Sequence, residues 1–458
     1  MKEFNKFYFE GFSFDNENLI AKFNYSFDKE LFFEEKIDFS SKDFLLRKDL
    51  DLEIINNILF HIHIALGISY YKFFPTKDLV LETGVLDDFQ TDFWKKFYIN
   101  GLGEFFYKNN LNPNLFVNFI YENKKFFQKK EFEVSQKYLV PVGGGKDSIV
   151  SIELLKKMGK NMDLVTFAVN DNILYENTAK NSGLKRLFIK REMPKNILEV
   201  ISLGYYNGHV PITGMIAFVL ELASYLYDYK YIILSNELSA NFGNTIFFGV
   251  SINHQWSKSL DFEKDFGEYV EKYISKKVKY FSILRPFYEL RIAEVFSKVA
   301  KKYFNSFSSC NTNFKIFNKK ENKINNNYWC NSCPKCAFVY SILRPFLTKE
   351  ETLEIFKKEL YEDKSLEKLF RELLGISGIK PFECVGTNEE VILSMKMILD
   401  KWKGKLPYIL EIFKNEVYNK MTKSDFEKLK QKILTADFES NMVEKELLEK
   451  LEKLDFLV

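Results

Sequence analysis

The sequence has few of the residues that mark disulfide-stabilised or membrane-spanning proteins. Only five of its 458 residues are cysteines, four are histidines and ten are prolines. An odd, sparse cysteine count in a long chain does not suit a disulfide framework. No run reaches the roughly 18–20 uncharged apolar residues that cross a bilayer. The best candidate, Ile212 to Tyr227, is shorter and contains Glu221.

A large excess of charge of either sign is also absent. Lys and Arg number 66 and Asp and Glu number 63, so the formal net charge is +3. A dedicated nucleic-acid binder usually has a strong basic excess, so we do not expect nucleic acid as a partner. Because no run is long and apolar enough to cross a bilayer, we do not expect a membrane either. The hydrophobic fraction of 46% argues against disorder. No signal peptide is visible, so a cytoplasmic protein is expected; the oligomeric state is unknown.

Periodicity predicts several folded units. In the first 40 residues Phe and Tyr alternate with polar positions, which is typical of strands with one buried face. Further along, short apolar strands alternate with helices, which predicts an α/β fold with a doubly wound parallel sheet. We divide the chain into an amino-terminal α+β module (1–135), an α/β domain (136–310), a cysteine segment (311–346) and a carboxyl-terminal helical region (347–458).

The strongest motif follows the first strand of the α/β domain and opens a helix. It reads Gly143-Gly144-Gly145-Lys146-Asp147-Ser148. Consecutive glycines let backbone N–H groups turn inward, and the helix amino terminus adds a positive dipole end, so the loop can cradle an anion. Lys146 adds a charge for phosphate oxygens, Ser148 can donate a hydrogen bond, and Asp147 can cap the helix or hold Mg²⁺. The alternative is a tight turn without a ligand.

This loop differs from the common nucleotide loop, Gly-x4-Gly-Lys-Ser/Thr, because Asp147 separates Lys146 from Ser148. It resembles the Ser-Gly-Gly-x-Asp-Ser pyrophosphate loop, or PP-loop, of ATP pyrophosphatases, with Gly143 in place of the first serine. Those enzymes cleave ATP between the α and β phosphates and adenylate a substrate. The resemblance implies a fold of the PP-loop type, with ATP and Mg²⁺ as cofactors.

A second polar cluster, Ser235-Asn236-Glu237, directly follows the fourth strand of the α/β domain. In parallel sheets ligands bind beyond the carboxyl ends of the strands. Glu237 is therefore well placed for magnesium, and Ser235 and Asn236 for a nucleotide. An ordinary loop with Asn turn chemistry is the alternative.

Four of the five cysteines form one group, namely Cys310, Cys330, Cys333 and Cys336. Two C-x2-C steps and one distant thiol supply the four thiolates of a tetrahedral zinc site, so we predict structural Zn²⁺. An iron–sulfur cluster is less well supported, because the usual C-x3-C step is missing after Cys336. Cysteines without metal are the remaining alternative.

The histidines divide into two pairs. His61 and His63 lie in an apolar helical stretch, which favours burial in the core. His209 and His254 lie in predicted loops of the α/β domain, where a general base would be needed, although a structural role is equally supported. Cys384 stands apart from the other cysteines, as a core thiol or a site residue.

Taken together, the ordered motifs resemble one family. They are the glycine loop, His209 to Gly214, Ser235 to Glu237, Asn253 to Gln255, Cys330 to Phe338 and Lys380 to Gly386. The set is similar to the UDP-N-acetylmuramoyl-L-alanyl-L-glutamate epimerases of peptidoglycan synthesis, over most of the chain. Leu238 departs from the expected pattern, which has a polar or basic residue at this position.

This resemblance implies an ATP-dependent epimerase that converts the terminal L-glutamate of UDP-MurNAc-L-Ala-L-Glu to D-glutamate. Adenylation turns the α-carboxylate into a mixed anhydride, from which the α-proton can leave because the charge spreads as an enolate. Hydrolysis then releases the product, AMP and pyrophosphate. Lys146 and magnesium would neutralise the pyrophosphate. His209, His254 and Cys384 are the candidates for acid and base.

Other functions remain open on the sequence alone. A ligase of the deazaguanine nitrile type also joins a glycine loop to a four-cysteine zinc site, but it does not explain the amino-terminal module. A tRNA-modifying enzyme is another option, although the balanced charge lacks the expected basic surface. The non-enzymatic alternative is a nucleotide-binding sensor.

Overall fold

The computed structural model describes residues 2–314, 328–378 and 380–455. These residues form twelve strands, of which ten join one large sheet. They are β1 (Lys6–Asp15), β2 (Ile20–Phe27), β3 (Leu31–Asp38), β4 (Asp78–Leu81), β5 (Asn118–Tyr121), β6 (Tyr138–Pro141), β7 (Met162–Ala168), β8 (Arg186–Glu192), β9 (Tyr231–Leu234), β10 (Thr245–Phe247), β11 (Val250–Ile252) and β12 (Lys279–Ser282).

Helices connect the strands and form the carboxyl-terminal part of the chain. They are α1 (Leu52–Tyr71), α2 (Asp88–Gly101), α3 (Gly103–Lys108), α4 (Lys146–Lys157), α5 (Ile173–Ser182), α6 (Ile197–Ser202), α7 (Ile212–Tyr227), α8 (Leu260–Tyr273), α9 (Glu289–Val299), α10 (Pro334–Leu343), α11 (Lys349–Phe356), α12 (Glu367–Leu373), α13 (Asn388–Leu399), α14 (Tyr408–Glu416), α15 (Lys423–Leu434) and α16 (Lys445–Asp455). Helices α11 to α16 all lie after residue 347.

The main sheet has ten strands in the order β12-β9-β6-β7-β8-β3-β2-β1-β4-β5, and β10 and β11 form a separate hairpin. The strands from β12 to β8 are parallel to one another, whereas β8, β3, β2 and β1 pair antiparallel. Strands β4 and β5 continue β1 in parallel. The α/β prediction is confirmed for a large and mostly parallel sheet, but the sheet is mixed rather than wholly parallel.

Side chains alternate across the sheet and divide the interior into two cores. Leu139 and Val165 belong to the core that contains α1, α7 and α8, whereas Val140 and Leu164 belong to the core that contains α4, α9 and the carboxyl-terminal helices. Successive strand residues point to opposite faces, so the two cores cover opposite sides of the sheet. Helices therefore protect both faces, as a buried parallel sheet requires.

The amino-terminal strands bury the aromatic face that their alternation predicts. Phe7 and Phe9 are buried, and Phe12 and Phe14 pack against the same core. The inward-facing rings thus shift from odd-numbered to even-numbered positions. A β-bulge between Phe9 and Gly11 inserts the extra residue, which returns the later rings to the same face. The unusual content of Phe in this region therefore serves a packed core.

Helix α1 is the described helix whose length and hydropathy would suffice to cross a membrane, but 83% of its apolar window is buried inside the protein. His61 and His63 lie within it and are fully buried, as predicted. Burial lowers the pKa of both histidines to about 3. His61 Nδ1 lies 2.9 Å from the Tyr269 hydroxyl, and His63 Nε2 lies 3.1 Å from the Asn24 carbonyl. The helix is thus a core element.

Two edge regions differ from the sequence expectation. Residues 85–122 contain helices α2 and α3 and end in strand β5, although their spacing alone predicts helix over most of the stretch. Strand β12 was not predicted, since its four residues carry no alternation long enough to recognise. Both strands are short and lie at the edges of the sheet, where tertiary pairing decides the conformation.

A buried ion pair fixes the junction between the amino-terminal strands and the parallel strands. Strands β3 and β8 pair over three residues only. Beside them the Arg191 guanidinium contacts both carboxylate oxygens of Glu35 and donates to Ser69 Oγ at 3.0 Å, and the Tyr70 hydroxyl donates to Glu35. Both buried charges have partners in this arrangement. Another register of β3 against β8 would separate them, so the ion pair favours the observed register.

We expect Glu35→Gln to lower the free energy of unfolding by about 3–5 kcal/mol, because it leaves the buried Arg191 without its counter-charge. Urea unfolding followed by circular dichroism measures the loss. Glu34→Gln is the matched control, since Glu34 is exposed on the same strand and pairs with Lys36; a change within about 0.5 kcal/mol is expected there. Equal losses in the two variants would contradict this role.

Candidate active site

A cavity of about 430 Å³ opens at the carboxyl ends of β6, β7 and β9. This is where ligands bind in parallel sheets. Most of the sequence-predicted nucleotide residues line it, together with one cysteine. They are Gly143, Gly145, Asp147, Ser148, Ser235, Asn236, Glu237 and Cys384.

The glycine loop has the local geometry of an anion cradle. Gly144 has φ +74°, and a Cβ atom there would lie 2.8 Å from the Cβ of Leu174, so only glycine fits. Gly145 caps α4 without any side-chain hydrogen bond, which leaves the first N–H groups of the helix available. Ser309 Oγ is buried at the cavity wall with no partner among the described residues. These donors fit a polyphosphate.

Lys146 does not reach the cavity surface. Its ammonium group is fully buried and contacts the carboxylates of Asp147 and Glu289. Lys335 Nζ lies 3.1 Å from the other oxygen of Glu289 and does line the cavity. Burial alone would raise the pKa of Glu289, but Lys146 and Lys335 hold it well below its usual range. Three buried charges thus tie the glycine loop to α9 and α10.

Asp147 and Glu237 place two carboxyl groups on the cavity wall. Burial and the nearby charge of Glu289 raise the pKa of Glu237. A divalent cation between Asp147 and Glu237 would offset that cost, because it favours the ionised form. The Glu237 carbonyl accepts a hydrogen bond from Arg285 Nη1 at 2.7 Å, which fixes the loop after β9.

Cys384 lies on the cavity wall, and the two loop histidines lie behind it. Lys258 Nζ donates to Cys384 Sγ at 3.3 Å. His254 contacts the Glu104 carboxylate through Nδ1 and interacts electrostatically with Cys384. The His209 ring packs against His254 at an interplanar angle of 44° with centroids 4.4 Å apart, and His209 Nδ1 lies 3.7 Å from Glu104. All three sequence-predicted acid–base candidates are therefore in one cluster.

The surroundings of Cys384, His254 and His209 shift their pKa values in different directions. Burial alone would raise the pKa of Cys384, but Lys258 and His254 lower it to about 5. Burial would lower the pKa of His254, yet its interactions with Cys384 and Glu104 raise it to about 9. Burial and the charge of His254 lower the pKa of His209 to about 3. The geometry therefore favours a thiolate next to an imidazolium.

Close packing brings these segments together. A Cβ atom on Gly101 would lie 2.6 Å from the Pro211 ring, so glycine lets the His209 loop approach the end of α2. Gln255 Nε2 donates to the Val385 carbonyl at 3.2 Å, and Asn311 Nδ2 donates to Glu383 at 3.0 Å. The Cys384 segment is thus held from two sides.

The four remaining cysteines converge, as predicted. The Sγ atoms of Cys310 and Cys333 lie 4.0 Å apart, those of Cys330 and Cys336 3.7 Å, and those of Cys333 and Cys336 3.5 Å. All four lie within 4.8 Å of one another. Tetrahedral Zn–S bonds of about 2.3 Å would separate the sulfurs by about 3.8 Å, so the group fits zinc.

Sequence reasoning missed five residues of this site, namely Glu104, Lys258, Glu289, Ser309 and Lys335. Lys258 follows the Asn-His-Gln segment and Lys335 lies between two of the cysteines, so proximity to a motif was a usable signal for both. Glu104 and Glu289 are single carboxylates on helices. Only the tertiary structure shows their partners.

Two family models match the chain. One, described as MurL N-terminal domain, matches residues 1–283, and the other, described as MurL C-terminal domain, matches residues 306–428. The chain belongs to the MurL family. The resemblance inferred from the motifs is thereby confirmed, and both MurL domains contribute to the cavity, with Lys258 from the first and Cys384 from the second.

Named relatives cover nearly the whole chain. A UDP-N-acetyl-alpha-D-muramoyl-L-alanyl-L-glutamate epimerase of Xanthomonas oryzae pv. oryzae is 30% identical over 93% of this chain and 94% of its own length. Proteins of the same name from a Micromonospora species and from Salinispora tropica are 33% and 32% identical. They cover 78% and 87% of this chain, and 78% and 86% of their own lengths. These MurL relatives are epimerases by name.

Proposed function

We propose that the protein is an ATP-dependent epimerase that inverts the terminal L-glutamate of UDP-MurNAc-L-Ala-L-Glu in peptidoglycan biosynthesis. The observation that carries this proposal is that one cavity joins an anion cradle to an acid–base cluster. The cradle, at Gly143–Ser148, suits the phosphates of ATP, and Cys384 with His254 suits proton transfer. We infer that the reaction takes place in the cytoplasm and that the protein has a fold of the PP-loop class.

Activation comes first in this scheme. The substrate α-carboxylate attacks the α-phosphorus of ATP, which forms an acyl-adenylate and releases pyrophosphate. The free N–H groups of α4, the Ser309 hydroxyl and the Lys335 ammonium face the phosphates. Ser235 and Asn236 contact the nucleotide. Asp147 and Glu237 would hold Mg²⁺, which neutralises phosphate charge when bound.

Inversion follows from the acyl-adenylate, which is a mixed anhydride. A proton next to a carboxylate is hard to remove because a second negative charge must develop, whereas the mixed anhydride accepts that charge as an enolate. Cys384, His254 and His209 are the candidates to remove and return the proton. The balanced charge of the chain suits this scheme, since local donors rather than a basic surface hold the anionic substrate.

The direct test is incubation of the purified protein with UDP-MurNAc-L-Ala-L-Glu, ATP and Mg²⁺. We expect D-glutamate after acid hydrolysis and chiral chromatography, with AMP and pyrophosphate formed only when the dipeptide substrate is present. Omission of ATP or Mg²⁺ should leave L-glutamate. ATP binding without AMP formation would support a nucleotide-binding sensor instead. AMP formation only with another acceptor would support an adenylating ligase.

Lys146→Met should reduce pyrophosphate release by about 10²–10³-fold, the usual effect of losing a group that stabilises a transition state. It removes a cation beside the cradle and leaves Glu289 with one partner. Lys157→Met is the matched control, since Lys157 is exposed on the same helix. Thermal unfolding distinguishes misfolding from lost activation, and a folded Lys146→Met variant with full release would show that the buried charge behind the cradle is not needed for activation.

The four-cysteine group should bind one structural zinc ion per chain. Mass spectrometry of the metal content of purified protein measures the ratio. Cys333→Ser should lose the ion and lower the melting temperature, because the group holds the 308–311 segment against the glycine loop, where Ser308 N donates to the Gly144 carbonyl at 2.9 Å. Cys384→Ser is the matched control and should keep the ion. Iron in the wild-type protein would contradict the zinc assignment.

A further inference from the structure

We propose that Cys384, held as a thiolate between Lys258 and His254, exchanges the proton on one face of the glutamyl α-carbon, and that Glu104 positions His254. This inference rests on the proposed function and assigns the proton-transfer step within it. It adds Lys258 and Glu104 to the site as positioning residues.

Position singles out Cys384 among the candidates. It lines the same cavity as the glycine loop, whereas His209 and His254 are not on the cavity wall. Its segment is fixed at both ends, since Asn244 Nδ2 donates to the Lys380 and Pro381 carbonyls at 3.3 Å, and Gln255 Nε2 donates to the Val385 carbonyl. The thiol is therefore presented to a substrate seated at the cradle.

Lys258 is held in place to face this thiol. Its Nζ lies 3.3 Å from Cys384 Sγ, and its carbonyl oxygen accepts a hydrogen bond from Arg285 Nη2 at 2.6 Å. Arg285 is itself buried and pairs with Glu263 at 2.7 Å. A buried chain of fixed charges thus keeps one ammonium group beside the sulfur.

His254 supplies the second cation from the opposite side. Its backbone N–H donates to Asn244 Oδ1 at 3.0 Å, and its Nδ1 contacts Glu104. Glu104 is buried and also pairs with Lys108 and with His209. A carboxylate that bonds one ring nitrogen fixes the orientation of the imidazole, so the other nitrogen can face the thiol.

The charged groups around the sulfur agree with this assignment. Lys258, His254 and Lys335 lower the pKa of Cys384 against the effect of burial, and Lys380 and Glu383 are the other charged groups that sense its charge. These cations favour the thiolate, which is the form that accepts a proton.

The proton balance closes with Cys384 and water. Cys384 S⁻ takes the α-proton, the C–H bond breaks, and its electron pair enters the enolate of the acyl-adenylate. A water molecule gives a proton to the opposite face of the enolate carbon and becomes hydroxide. The Cys384 thiol then loses its proton to this hydroxide through solvent, which restores both the thiolate and water, while His254 stays protonated.

Alkylation in the absence of substrate tests the thiolate. The rate at which iodoacetamide modifies Cys384, followed by peptide mass spectrometry, should stay near its plateau down to about pH 6 in the wild-type protein. Lys258→Met should slow it at least about tenfold at pH 6 and less at pH 9, because the thiol returns toward its ordinary pKa near 8.5. Lys258→Arg should keep most of the effect. Lys264→Met, on an exposed lysine of α8, is the control.

Variants of Cys384 and Glu104 test the proton transfer. Cys384→Ser and Cys384→Ala should release AMP and pyrophosphate in the presence of UDP-MurNAc-L-Ala-L-Glu but form less than about one hundredth of the wild-type D-glutamate. Glu104→Gln should lower kcat with little change in the KM for ATP. If the wild-type protein forms no D-glutamate, the proposed function fails, whatever the alkylation profile shows.

Three results would overturn the assignment while the proposed function stands. One is wild-type epimerisation by Cys384→Ser. Another is an alkylation profile that Lys258→Met leaves unchanged. The third is a second metal ion in the wild-type protein that is lost in Glu104→Gln, because Glu104, His209 and His254 would then be ligands rather than a proton-sharing group.

Discussion

The constraint on which the site depends is the burial of one carboxylate, Glu289, between two lysines. Lys146 comes from the loop after β6, Glu289 begins α9, and Lys335 lies within the cysteine segment. A buried charge is tolerated only when it is paired, so these three elements must pack at one place. That place is the carboxyl end of the parallel strands, where the glycine loop has the geometry of an anion cradle.

The continuous sheet supplies the other half of the site. Because β3 pairs with β8, the amino-terminal strands and their helices are held against the parallel strands. Helix α3 then carries Glu104 to the loop histidines, and Gly101 gives Pro211 room to approach. The amino-terminal module, which a minimal nucleotide-binding domain does not need, thus contributes a carboxylate to the acid–base cluster.

Local patterns predicted much of this structure. The glycine loop, the Ser-Asn-Glu loop and the cysteines lie where strand order and spacing place them. The pairing of β3 with β8 and the short strands β5 and β12 were not predictable, because long-range contacts decide them. The same holds for Glu104 and Glu289, since a single carboxylate on a helix looks like any solvated one.

In the proposed reaction, activation and inversion place opposite electrostatic demands on one cavity. Phosphates need positive groups, whereas a base that removes a proton must keep a negative or neutral form near them. The structure meets both demands with the same cations. Lys335 lies between Glu289 and the cavity, and it also lowers the pKa of Cys384, so the charge that would attract phosphate also stabilises a thiolate. A thiol, whose ordinary pKa is near 8.5, gains more from this field than a carboxylate, which is already ionised at neutral pH.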